Sequence, residues 1–143
     1  MPYGAFFDVY YDCMEKMSEK KRFSVVARIQ STNNALRGVG IFIRATHNAW
    51  VHFFFGSLAV FLGFLLKIST LEWLILVIII AIVIITEAIN TAIEIDIDLT
   101  SPNYHPYARD TKDVAAGAAL LAVAMSGIIG LIIFLPKILI LIK

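Results

Sequence analysis

The sequence predicts an all-α integral membrane protein, with three transmembrane helices preceded by one or two amphipathic surface helices. Three observations carry that reading. Hydrophobic residues make up 59% of the chain and charged residues only 16%, far from the balance of a soluble domain. Three apolar stretches are each long enough to cross about 30 Å of hydrocarbon. Basic residues gather before the first stretch and in the loop between the second and third, an asymmetry of the kind that orients membrane helices. The 143 residues suit one domain. A net charge of +1 gives no bulk attraction to nucleic acid. The single cysteine, Cys13, excludes an internal disulfide and a thiolate metal cluster.

Residues 1–22 form an extension. Phe6, Phe7, Tyr10, Tyr11 and Met14 recur at helical spacing with Asp8, Asp12 and Glu15 between them, which predicts a surface helix or a mobile tail at the membrane. No apolar core followed by a cleavage site reads as a leader there. Lys20, Lys21 and Arg22 suit an anionic lipid surface. Phe23 to Arg44 reads as a second amphipathic helix, in which Val25, Val26, Ile29, Leu36, Val39 and Phe42 alternate with Arg28, Gln30, Asn33, Asn34 and Arg37.

The first span is expected at about 47–66. Trp50 stands near its start, and Ala59 with Gly63 forms a small-xxx-small pair for close helix contact. A tight polar turn follows. The second span is expected at about 71–98, with Trp73 near its start; the two tryptophans then lie near opposite membrane faces. Leu99 to Lys112 reads as a loop, because Ser101-Pro102 and His105-Pro106 disfavour continuous helix. The third span is expected at about 113–135, opened by Asp113 as an N-cap or first-turn acid and ended by Pro136. Ala118, Ala122, Ser126 and Gly130 recur every fourth residue along it. Seven basic residues precede the first span, so the N-terminus is expected in the cytoplasm.

The chemistry gathers at the end of the second span. Glu87, Glu94 and Asp98 are spaced seven and four apart, so Glu94 and Asp98 each fall within roughly 20° of Glu87 around a helix. Thr91 shares the stripe, Asn90 flanks it, and Asp96 points away. Acids inside a membrane are costly and ask for a function. Glu87 is the deepest, and Asp98 emerges at the cytoplasmic surface. Carboxylates and an asparagine suit Mg²⁺, which shares its ligands with phosphates; Lys112, Arg109 and His105 supply charge or donors beside them. Phosphoryl transfer needs metal, charge neutralisation and a positioned nucleophile. No P-loop, HExxH motif or serine elbow is present. Polar contact between helices, or an ion path, remains open from spacing alone. His47 and His52 read as interface or headgroup contacts, since no third ligand accompanies them.

EAINTAIEIDIDL followed by SPNYHPYARDTKDVAAGAALL closely resembles the prokaryotic diacylglycerol kinase family, which includes undecaprenol kinases. The shared patterns are E-x-x-N-(S/T)-A-I-E-x-x-x-D and YHPxAxxxKDxAAGA, and the resemblance runs from about Phe23 to Leu135. It implies a membrane lipid kinase domain over residues 23–143, assembled as a homotrimeric bundle in a bacterial inner membrane. It implies Glu87 as general base, Glu94 as metal ligand, and Asn90 and Asp98 as polar residues around the site. Asn103, Tyr104, His105, Lys112 and Asp113 then correspond to nucleotide contacts, with Mg²⁺ as cofactor and ATP as phosphoryl donor. One departure stands out. Where the family carries a metal-binding glutamate before an N-F-R-x-H-like sequence, this chain has RATHNAWVH, with Thr46 at the glutamate position. Three consequences stay open: a weaker metal site, compensation by a group such as Asp98, or loss of kinase activity.

The expected reaction is ATP-dependent phosphorylation of a membrane lipid alcohol, diacylglycerol or undecaprenol, at the cytoplasmic interface. The alternative is a non-catalytic oligomeric scaffold that kept the fold.

Overall fold

The computed structural model describes residues 24–142, which form four helices. The predicted surface helix or tail over residues 1–22 lies outside the described residues. The helices are α1 (Val25–Ala45), α2 (His47–Leu65), α3 (Thr70–Thr100) and α4 (Pro106–Ile142). The last three are long and apolar enough to cross a membrane.

The chain divides into two compact units between Leu36 and Arg37, inside α1. In the first, the described residues are helical, opened by Ser24, whose hydroxyl accepts from the Ala27 amide at 3.4 Å. Val25, Val26, Ile29 and Leu36 are exposed. In the second, the end of α1 contributes the buried Phe42, and α2, α3 and α4 form the membrane bundle. The helix runs through Gly38 and Gly40, with open space where a side chain would stand.

Helix α3 is the middle of the bundle. It packs chiefly on α4 and then on α2, and 33% of its most apolar stretch is buried against 11% for α2 and 6% for α4. The rest of the apolar surface is left for lipid, where no hydrophobic force drives helices together. Contact therefore depends on shape. Gly63 is buried against Trp73: an added Cβ would meet the indole ring at 2.8 Å and the Ile68 side chain at 3.1 Å. The predicted small-residue contact is thus made by Gly63 and Ala59 around a core of Ile68, Leu76, Ile133 and Phe134.

The α2–α3 connection is built from local hydrogen bonds. Ile68 donates to the Gly63 carbonyl at 3.1 Å and Lys67 to the Phe64 carbonyl at 3.3 Å, with Lys67 left-handed at φ 48°. This is a Schellman termination, made here by a lysine at the position that favours glycine. Ser69 then caps α3: its hydroxyl accepts from the Glu72 amide at 3.4 Å, and its own amide donates to Glu72 Oε2 at 2.7 Å. Glu72 Oε1 meets Lys137 Nζ at 3.1 Å, which ties the far end of α4 to this hairpin.

The third membrane helix differs from expectation at both ends. It begins at Pro106, not Asp113, so the loop shrinks to residues 101–105. Proline fits the first helical position, where its missing amide proton has no intrahelical partner to lose. His105, before it, is held out of helical geometry. Asp113 consequently lies two turns inside the helix, 3.5 Å from Arg109 one turn earlier, and caps nothing. Pro136 does not end the helix, which continues to Ile142. Such a missing backbone hydrogen bond is tolerated in membrane helices, and the next residue, Lys137, pairs with Glu72 at 3.1 Å. Of the four-residue repeat, Ala118 is exposed while Ala122, Ser126 and Gly130 are half-buried; the buried α4 residues are instead Ala115, Ala119, Ile133 and Phe134.

Candidate active site

The 31 residues of α3 extend about 46 Å, more than the roughly 30 Å of a bilayer core. Counted from the capped hairpin end, that core reaches about as far as Asn90. The acid stripe therefore crosses from apolar to polar surroundings. Glu87 is 3% exposed, Asn90 6% and Thr91 5%, the buried polar residues among those described. Glu94 is half-buried and Asp98 exposed. The gradient follows the expected order, and Asp96 is exposed on the other side.

These buried groups have few partners. Thr91 donates its hydroxyl to the Glu87 carbonyl at 2.9 Å, and its oxygen lies 2.9 Å from the Thr46 hydroxyl. Thr46, just before α2, is thus in contact with the acid stripe. Asn90 Nδ2 donates to Glu94 Oε1 at 3.1 Å. Among the described residues, two buried oxygens, Glu87 Oε1 and Asn90 Oδ1, have no hydrogen-bond partner. Such atoms cost on the order of 1–3 kcal/mol each, and they point to a ligand that completes them.

His52 was expected at the interface. Instead its Nε2 lies 3.9 Å from Glu87 Oε2, with side-chain exposures of 17% and 4%. A sequence signal for this exists: Ala49, His52, Gly56, Ala59 and Gly63 recur at spacings of three and four. All five are buried or half-buried, so His52 stands in the stripe of α2 that faces inward.

At the loop end, one groove of about 330 Å³ is lined by all five predicted nucleotide contacts, Asn103, Tyr104, His105, Lys112 and Asp113. Asp98 and Arg109 line it as well. Lys112 Nζ donates to Asp98 Oδ1 at 2.6 Å, which joins the outer end of the acid stripe to the groove. Glu87 does not line this groove; it lies about 16 Å from Asp98 along the helix. The intervening stripe is occupied by Asn90, Thr91 and Glu94.

The donor set bears on a metal. Among the described residues no three His, Cys, Asp or Glu side chains converge as a cage. The unpartnered Asn90 Oδ1 beside the Glu94 carboxylate is nevertheless hard-oxygen chemistry. It fits Mg²⁺, which is commonly held by one or two carboxylates and completed by water and substrate phosphates.

Residues 33–134 match the prokaryotic diacylglycerol kinase family. The chain belongs to that family. It is a lipid kinase by membership, a phosphotransferase of the membrane. It is 36% identical over 126 residues to an undecaprenol kinase of Bacillus subtilis, covering 88% of this chain and 98% of that one. It is 35% identical over 106 residues to a diacylglycerol kinase of Synechocystis sp., covering 73% of this chain and 61% of that protein's length. No solved structure matches the chain. The buried Glu87, the Asn90–Glu94 pair and Asp98 thus follow one another along α3, with the loop groove at its outer end.

Proposed function

We propose that the protein transfers the γ-phosphoryl group of ATP to the hydroxyl of a membrane lipid alcohol at the cytoplasmic face. Undecaprenol is the first choice of substrate, supported by the Bacillus subtilis relative, whose alignment spans nearly the whole of both chains. Diacylglycerol is the alternative. The single observation that carries the reading is the stripe on α3: a buried carboxylate with one free oxygen at its inner end, and a loop groove joined to it at its outer end.

Glu87 Oε1 accepts the proton of the lipid hydroxyl. The lipid oxygen bonds to the γ-phosphorus as the bond from that phosphorus to the ADP oxygen breaks. Lys112 balances phosphate charge, and Asn103, Tyr104, His105 and Asp113 hold the nucleotide. Glu94 and Asn90 would hold Mg²⁺, with Asp98 nearby; when bound, the ion supplies charge neutralisation to the phosphates. The distribution of lysine and arginine supports a cytoplasmic N-terminus and loop groove, and the family resemblance supports a homotrimer with sites shared between subunits. Thr46 in place of a metal-binding glutamate favours the scaffold as a second reading, whereas the kept Glu87, Glu94 and loop groove favour the kinase.

The test is phosphorylation of undecaprenol and of diacylglycerol by the purified protein with ATP, with Glu87→Gln and Glu94→Gln as controls. The kinase reading expects product with at least one lipid and a rate at least about 100-fold lower in either variant. A scaffold shows no Mg²⁺-dependent ATP binding and no product.

A further inference from the structure

Glu87 is unusual in how its two carboxylate oxygens differ. Oε2 lies 3.9 Å from the His52 imidazole, while Oε1 is buried and unpartnered. The neighbouring hydroxyls do not help the carboxylate: Thr91 donates to the Glu87 backbone carbonyl, and Thr46 meets Thr91. Asn90 Nδ2 donates to Glu94 and not to Glu87. Among the described residues, His52 is the one basic side chain within ion-pair distance of Glu87. A buried carboxylate needs a polar neighbour, and at 3.9 Å, beyond hydrogen-bond length, His52 is the polar group that faces Oε2.

We propose that His52 is the positioning residue of Glu87: the polar Nε2 edge of its imidazole, 3.9 Å from Oε2, draws that oxygen toward α2, fixes the rotation of the carboxylate, and leaves Oε1 facing the incoming hydroxyl. The inference rests on the reading of Glu87 as the base. His52 sits on the inward stripe of α2, at the head of an apolar cleft of about 220 Å³ between α2, α3 and α4 that runs past Ile80, Val83 and Phe134. The imidazole therefore approaches Glu87 from the apolar side, away from the loop groove that takes the nucleotide. It touches the acid and takes no part in the bond changes at phosphorus.

The experiment compares His52→Leu, His52→Gln and His52→Asn in the full-length protein, assayed with ATP and its lipid substrate, with Glu87→Gln beside them. The Gln amide can present a polar edge near the Nε2 position, Leu keeps bulk without one, and Asn is too short. The expected result is a kcat lower on the order of 100-fold in His52→Leu, the scale of a misplaced reacting group. KM for both substrates stays within about twofold, and most of the rate returns in His52→Gln. If His52→Leu does not fold, the decision passes to the other pair: Gln active and Asn impaired supports the assignment, and equal rates overturn it. Full kcat in His52→Leu, or a loss confined to KM, also overturns it. Glu87→Gln separates the two levels. If that variant is inactive while His52→Leu is fully active, only the role of His52 falls; if Glu87→Gln is itself active, the reading of the base falls with it.

Discussion

The two ends of the α2–α3–α4 bundle are built by opposite rules. At the hairpin end every device is completed within one chain. Gly63 admits Trp73, the indole lies 4.7 Å from the Phe64 ring, Ser69 and Glu72 cap each other, and Lys137 closes on Glu72. At the acid end the opposite holds: two buried oxygens lack partners, Asp98 and Asp113 are exposed, and the groove is open. Stability is concentrated where polar groups are satisfied, and chemistry where they are not. The two ends should therefore respond to mutation in different observables.

The largest effect is expected at the acid end. Glu87→Gln removes the proton acceptor and should lower the phosphorylation rate by about 100- to 10,000-fold, while the unfolding midpoint in detergent stays equal or rises, because a buried carboxylate is replaced by a neutral amide. A fall in stability with activity kept would reverse the assignment of the two ends. The next effect belongs to the hairpin end. Gly63→Ala places a methyl group against the Trp73 ring, where the contact at 2.8 Å forces a shift. Overpacking of this kind costs about 1–3 kcal/mol. It should appear as a lower unfolding midpoint with unchanged activity per folded molecule.

Most of this division could be read from the residues in advance. The acid stripe is legible because the helical period alone puts Glu87, Glu94 and Asp98 on one line, and their exposure rises in that order. Gly63 was legible as a packing position for the same reason. Pro106 interrupts the helix as the sequence predicts. The start of α4 at Pro106 and its continuation past Pro136 depart from expectation, because proline suits a first helical position and an interior proline can be accommodated within a membrane helix. The helix runs on to Ile142, and Lys137, beside Pro136, pairs with Glu72. His52 reads as an interface or headgroup contact when only metal ligation is weighed against it, whereas its place in the Ala49–Gly63 stripe is the informative fact. The contact of Thr46 with Thr91 spans 45 residues and has no local signature. The unpartnered oxygens depend on what the other helices fail to supply, which no single segment records.

A third prediction probes the junction between groove and stripe. Lys112→Ala removes the cation that bridges Asp98 at 2.6 Å. Its side chain is 35% exposed and Asp98 is 68% exposed, so solvent screens the pair and folding stability should barely change. If the same ammonium meets nucleotide phosphates, KM for ATP should rise by about tenfold, the loss of one charge-assisted hydrogen bond. The KM for lipid should stay constant in the same assay. An unchanged nucleotide KM would place the phosphates outside the groove.

The smallest effect is expected back at the hairpin. Ser69→Ala removes the hydroxyl that accepts from the Glu72 amide at 3.4 Å, a long bond within a reciprocal cap. Loss of an N-cap costs about 1 kcal/mol, and the length of this bond puts Ser69 toward the lower end. The backbone half of the box, from the Ser69 amide to Glu72 Oε2, survives the substitution. So does the ion pair from Glu72 to Lys137. A small drop in the unfolding midpoint with no change in kcat or KM is therefore the expected outcome. Glu72→Gln should act through a different route, by weakening the tie to α4 beyond Pro136. Combining it with Ser69→Ala tests whether cap and tie are one device. A non-additive pair means that Glu72 is held by Ser69 before it reaches Lys137. Strict additivity means that the hairpin would close on α4 without its cap, and the contrast between a finished and an unfinished end would then rest on Gly63 and Trp73 alone.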